Sequence, residues 1–159
     1  MLKSIRTWVV VADSGRAQLL IPDEDETQLF PADLPGLSSL DVSHHARDVT
    51  SDRPGRSFGS AGGGVRHAIE PHHDYHKQEK HKFAAAMAHA INQACLAGDY
   101  DRLVLVVPPR TLGELRSLLS DRVQAHMSVI PKDLTKSTTP AIWLEVADAV
   151  RHPPMTPTA

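Results

Sequence analysis

Six of the ten histidines of this chain fall between His67 and His89, most densely in Pro71-His-His-Asp-Tyr-His-Lys-Gln-Glu-Lys-His81. On a helix, His72 and His76 stand one turn apart and His73 lies three residues from His76. A pair or trio of imidazoles could therefore converge on a metal ion. His81 and His89 project from the other side of the helical wheel, and no HExxH or paired-cysteine spacing accompanies them. Solvated histidines at a helix start account for the same pattern, so no metal or other cofactor is expected, and His72, His73 and His76 are the ligands to test if one binds.

Just upstream, Gly59-Ser-Ala-Gly-Gly-Gly64 could cradle a phosphate, because glycine lets successive backbone N–H groups point into one concavity. It has neither the Walker spacing nor a GxGxxG after a strand, and a hinge or exposed loop tip is the better explanation of it. Between Arg47 and Lys82 seven cations (Arg47, Arg53, Arg56, Arg66, Lys77, Lys80, Lys82) face five carboxylates (Asp48, Asp52, Glu70, Asp74, Glu79). The rest of the chain is net acidic, which leaves a modest basic patch or a solvated mixed-charge surface. The residues singled out as a binding loop are Arg53, Arg56, Gly62, Gly63, Gly64, Arg66 and His67.

A third constellation is Pro108-Pro-Arg-Thr111, where a buried strand feeds a helix. That is the crevice position of open α/β sheets, and a helix N-terminus with Arg110 and Thr111 could accept an anion there. Thr111-Leu-Gly-Glu114 also has the spacing of a capping box. No Gly-x-Ser-x-Gly nucleophile elbow occurs. Cys95, inside an alanine-rich helical stretch, reads as an inert core thiol.

The elements that would position these groups follow from hydrophobic periodicity. Thr7-Trp-Val-Val-Val-Ala12 and Ala17-Gln-Leu-Leu-Ile21, joined by an Asp/Ser/Gly turn, read as an antiparallel hairpin. Thr27-Gln-Leu-Phe30 is a weaker third strand ended by Pro31. From 35 to 71 neither helical nor strand period persists, which predicts a long loop. Residues 74–97 form the longest helical pattern, with Phe83, Met87, Ala90, Ile91 and Ala94 on one face and Gly98 at the C′ position. Leu103-Val-Leu-Val-Val107 is a strand buried on both faces. A helix carrying Leu112, Leu115, Leu118, Leu119 and Val123 leads to a short strand at Met127-Ser-Val-Ile130. A right-handed crossover makes those two strands parallel. A closing helix over 140–150 is expected to face Trp143, Leu144 and Val146 inward.

The fold class is thus α/β: a mixed five-stranded sheet with an N-terminal β-meander and about three helices. Residues 1–150 are expected to form a single domain and 151–159 a disordered tail. A chain of 159 residues can bury a core without staples, and aromatics at 4% leave that core to aliphatic side chains. A formal charge of −2 generates no strong field towards nucleic acid or membranes, so any such contact must be local. One cysteine allows no internal disulfide. The N-terminal apolar run is too short for a signal peptide, and no stretch is long enough to span a bilayer. A cytoplasmic protein without membrane association is expected.

Four segments, Trp8-Val-Val-Val-Ala-Asp-Ser-Gly-Arg-Ala17, Gly55-Arg-Ser-Phe58, His81-Lys-Phe83 and Leu103-Val-Leu-Val-Val-Pro-Pro-Arg-Thr-Leu-Gly-Glu-Leu-Arg116, with Lys132-Asp-Leu-Thr135 behind them, resemble the bacterial host-attachment protein family. That family is similar to the central domain of archaeal and eukaryotic peptide-chain release factors. In those factors an exposed Gly-Gly-Gln loop assists hydrolysis of peptidyl-tRNA. The nearest equivalent here is Gly62-Gly-Gly64-Val65, which lacks the glutamine. The resemblance therefore implies a binding module acting on tRNA or the ribosome more than an enzyme. The alternatives are a hydrolase, metal-dependent through the histidine cluster or directed at peptidyl-tRNA, and a protein that acts in adhesion to host cells.

Overall fold

The computed structural model describes residues 4–34 and 65–152, with side chains from 4–34 and 77–152. Thr7–Ala12 (β1), Ala17–Pro22 (β2) and Leu29–Ala32 (β3) form the expected meander. Val65–Ala97 (α1) leads into Arg102–Val106 (β4), then Pro109–Leu118 (α2), Asp121–Ala125 (α3), Met127–Ile130 (β5) and Thr139–Arg151 (α4). The five strands lie in the order β3-β2-β1-β4-β5. β4 pairs parallel with β5 as the crossover predicts, and parallel with β1 on its other side. The α/β class with a mixed five-stranded sheet therefore holds.

Every residue of β1 is buried, because helices cover both faces of the strand. Trp8, Val10 and Ala12 join Leu103 and Leu105 beneath α1, α2 and α3, which contribute Phe83, Met87, Ile91, Leu115 and Val123. The alternate residues Val9, Val11, Val104 and Val106 meet Ile142, Val146 and Val150 of α4 on the opposite face. Burying each such aliphatic side chain contributes about 1.5–3 kcal/mol. The two-residue period of the strands thus assigns successive side chains to separate cores. At the start of the β1–β4 pair, the Arg6 N–H donates to Asp101 Oδ2 at 2.8 Å and the Asp101 N–H donates to the Arg6 carbonyl at 2.8 Å.

The apolar face of α1 is the one its periodicity predicts: Phe83, Met87, Ala90, Ile91 and Ala94 are all buried. Its end is a Schellman turn. Gly98 takes φ +77°, its N–H donates to the Cys95 carbonyl, and the Asp99 N–H donates to the Ala94 carbonyl. Cys95 itself is partly exposed and packs at the margin of the core. The start of the helix departs from expectation. It begins at Val65 and runs through Pro71, so residues 65–71 belong to a helix and not to the long loop. Proline already has a helical φ and denies the helix one N–H, a local cost that the flanking turns override. Residues 35–64 and the tail from 153 lie outside the described residues.

Among the described residues four helices stand where about three were expected, because the chain from Thr111 to Val123 breaks at Leu119 and Ser120. Asn92 of α1 holds that break: its Nδ2 donates to the Leu118 carbonyl at 3.1 Å, and its Oδ1 accepts the Ser120 N–H at 3.0 Å. The Ser120 hydroxyl then caps α3 by accepting from the Val123 N–H. In α4 the inward residues are Ile142, Val146 and Val150, while Leu144 is 82% exposed and Trp143 only partly covered. A four-residue spacing keeps 142, 146 and 150 on one stripe, and 144 falls on the far side of the wheel. The helix also runs through Arg151, which was expected in the tail. Its guanidinium donates twice to the Glu26 carbonyl, at 3.2 and 2.7 Å, and stacks 5.2 Å from the Trp143 ring. Pro31, expected to end β3, lies within it on the sheet edge, where a missing N–H is tolerated.

Candidate functional site

The carboxyl ends of β1, β4 and β5 open onto one cavity of about 600 Å³. The turn after β1 contributes Asp13 and Ser14, the loop after β5 contributes Asp133, and α1 contributes Lys77 and Lys80. The turn from β4 into α2 adds Pro108, Arg110, Thr111 and Glu114. A crevice at this end of parallel strands is where open α/β sheets place their ligands, since loops diverge there and helix N-termini point inward.

The start of α2 differs from a capping box. Pro108 is the N-cap, Pro109 is the first helical residue, and no side chain caps the helix. The proline ring presets helical φ two residues ahead of Thr111, so Thr111 is already inside the first turn and cannot cap it. The first intrahelical bond is from the Leu112 N–H to the Pro108 carbonyl at 3.0 Å. Two of the usual free donors are deleted by prolines. The N–H groups of Arg110 and Thr111 are left, and among the described residues neither has an acceptor.

Thr111 is only 6% exposed and lines the cavity. Among the described residues its hydroxyl has no hydrogen-bond partner. The same holds for the charged ends of Lys77, Lys80 and Arg110, whereas Lys82 pairs with Glu79 at 3.4 Å and Lys132 with Glu145 at 2.7 Å.

The acidic side of the cavity is otherwise engaged. Asp13 Oδ1 accepts the N–H groups of Gly15 at 2.7 Å and Arg16 at 2.8 Å, which closes the β1–β2 turn. Asp133 Oδ1 accepts the Thr135 hydroxyl at 2.6 Å and its N–H at 3.1 Å. These two bonds, the hydroxyl foremost, hold the Asp133 carboxyl below the usual carboxylate range, with Lys136 assisting and partial burial opposing. The Thr135 hydroxyl also lies 3.3 Å from Asp13 Oδ2, so one side chain spans both acidic turns. Both carboxylates thus act as turn acceptors, and among the described residues no carboxylate is in ion-pair contact with the cations across the cavity.

Of the residues marked from sequence, Arg110 and Thr111 line this cavity, and so do Lys77 and Lys80 from the basic run. Arg53, Arg56, Gly62, Gly63 and Gly64 lie outside the described residues. Arg66, His67, His72, His73 and His76 are on the backbone of α1, with side chains outside the described set. Among the described residues no three His, Cys, Asp or Glu side chains converge to hold a metal ion. Asp13, Asp133 and Thr135 escaped the sequence reading. The available signal was positional: Asp13 directly follows the end of β1 within Asp-Ser-Gly, and Asp133 lies three residues past the end of β5 within Lys-Asp-Leu-Thr.

A mixed sheet covered by helices on both faces, with a crevice at the ends of its parallel strands, defines an open-sheet α/β protein. Within that class, the chain belongs to the family described as "Protein required for attachment to host cells", whose model matches residues 8–146. The matched span contains every described residue that lines the cavity. No curated protein matches the chain. Among the described residues, no helix is long and apolar enough to cross a membrane.

Proposed function

We propose that this host-attachment family protein is a binding module that acts in the cytoplasm on tRNA or the ribosome, holding nucleic-acid phosphate at the crevice. The observation that carries the reading is the set of unpartnered cations, Lys77, Lys80 and Arg110, beside the two free N–H groups of α2. Cations left without acidic partners around a concave site suit a polyanion, and a helix N-terminus adds a partial positive charge in the same direction.

The resemblance to release-factor central domains supports the same partner. A meander, a glycine-bearing segment, a long helix and a buried strand follow in the order that the resemblance implies. Gly62-Gly-Gly64-Val65 lacks the glutamine linked to peptidyl-tRNA hydrolysis, which favours binding over turnover. Arg53, Arg56, Arg66 and His67 would extend the contact beyond the crevice. Attachment to host cells, on this reading, is an indirect outcome of an activity inside the cell.

Sedimentation of the tagged protein through sucrose gradients, with tRNA binding measured in parallel at about 50 mM salt, where phosphate contacts are strongest, tests the reading. Co-migration with ribosomal particles or tRNA binding is expected. Alanine at Lys77, Lys80 and Arg110 should weaken it and lower the salt slope by roughly one per lost contact. A protein that stays at the top of the gradient and ignores tRNA at low salt is not this module.

A further inference from the structure

We infer that the cavity takes a terminal phosphomonoester, the phosphorylated end of a strand or a free nucleotide, in preference to an internal phosphodiester. The inference rests on the nucleic-acid reading above and narrows its ligand. Its first support is the donor set on the opening turn of α2. The Thr111 side chain is more than nine-tenths buried yet lines the cavity with an unpartnered hydroxyl, and the free N–H groups of Arg110 and Thr111 belong to the same turn. Three donors on one turn match the three non-bridging oxygens of a terminal phosphate. An internal diester offers only two.

Charge supports the same choice. Lys77, Lys80 and Arg110 supply three positive charges, opposite three lining carboxylates of which Asp13 and Asp133 are held in hydrogen bonds of their own turns. Those cations have no ion-pair partner among the described residues and are open to a bound phosphate, and the dianion of a monoester, whose second ionisation is near pH 6, draws them more strongly than a monoanion does. A diester carries one charge only. Room and lining agree: about 600 Å³ is the size of a site for one small ligand, and no described residue that lines it is aromatic. The described lining thus offers no base-stacking platform and addresses the phosphate.

The test is fluorescence anisotropy with one labelled oligoribonucleotide carrying a 5′-phosphate, a 3′-phosphate or hydroxyl ends, with inorganic phosphate and a nucleoside monophosphate as competitors. Either phosphorylated end should bind about tenfold more tightly than the hydroxyl form, as charge-assisted bonds to a dianion require, and the advantage should shrink below about pH 6. Thr111→Val should remove that preference and Thr111→Ser should keep it, with circular dichroism showing both variants folded. Equal affinity for all three strands overturns the inference and leaves the nucleic-acid reading standing. Binding of the nucleoside monophosphate with no binding of any strand supports the phosphomonoester site and sinks the nucleic-acid reading, whereas no binding of any probe overturns both.

Discussion

The Thr135 hydroxyl reaches to 3.3 Å from Asp13 Oδ2, joining the loop after β5 to the turn after β1 across the end of β4. Asp13 also closes its own turn through two N–H groups. Replacing Asp13 by Ala leaves these donors without their acceptor and should cost about 1–3 kcal/mol, while Asp13→Asn, which keeps an acceptor oxygen, should cost less. Thermal unfolding should show the order, at roughly 2–4 °C per kcal/mol for a chain of this size. Equal melting temperatures for wild type and Asp13→Ala would refute the assigned role.

Asn92 is the only polar side chain described above that bridges α1 to the α2–α3 break, and it uses both ends of its amide. Asn92→Ala should destabilise the protein by about 1–2 kcal/mol, since the Leu118 carbonyl and the Ser120 N–H both lose their partner. Hydrogen exchange is expected to accelerate at Ser120 and Val123 before it does so in β1. Uniform acceleration across the sheet would show that the break is held by something else.

The Asp133 carboxyl is held below its usual range by Thr135, so the folded state keeps it ionised to lower pH than the unfolded chain does. Its contribution is present above the ordinary carboxylate value of about 3.9 and is lost as the pH falls through the lower folded value. Thr135→Val should raise the Asp133 titration, read by carboxyl carbon NMR, and flatten the acid limb of the stability curve. An unmoved titration would show that the hydroxyl does not set it.

Burial, reinforced by the nearby Cys95 thiol, raises the Tyr100 phenol well above its ordinary value, and its hydroxyl donates to the Ile91 carbonyl at 3.1 Å. The neutral phenol therefore stabilises the fold fully below about pH 10, and that contribution is lost as the pH climbs through the folded value. Wild-type stability should fall on the alkaline side, and Tyr100→Phe should remove part of that fall. Denaturant midpoints measured at a series of alkaline pH values check this, and identical alkaline slopes would contradict it.

Ile142 is 1% exposed and Leu144 is 82% exposed, although they are two residues apart on α4. Ile142→Ala should cost about 2–5 kcal/mol through lost burial and the cavity left behind. Leu144→Gln should change stability by less than about 0.5 kcal/mol, as surface substitutions do. Urea midpoints that reversed this order would mean that α4 packs through its other face.

Much of the fold was legible because its causes are local. Alternating and continuous apolar runs mark β1, β2, β4 and β5, the four-residue recurrence from Phe83 marks the buried face of α1, and Gly98 marks its end. A parallel β4–β5 pair follows from the handedness of a crossover. The errors have local causes too. The prolines misled in both directions: Pro71 was read as a boundary and sits inside a helix, while Pro109 starts α2 early and so deprives Thr111 of a capping role.

The sequence by itself determined the class of fold, the strands, the long helix and the position of Arg110 and Thr111 after a buried strand, because each depends on the order of apolar and turn-forming residues within a few positions. Only the tertiary structure decided that β1 pairs with β4, that Asn92 divides one helical stretch into two, and that Lys77 and Lys80 share a cavity with Asp13, Thr111 and Asp133. Those groups are scattered along the chain from Asp13 to Asp133. What brings them together is the stacking of parallel strand ends against α1 and α2, which no periodicity within one element records.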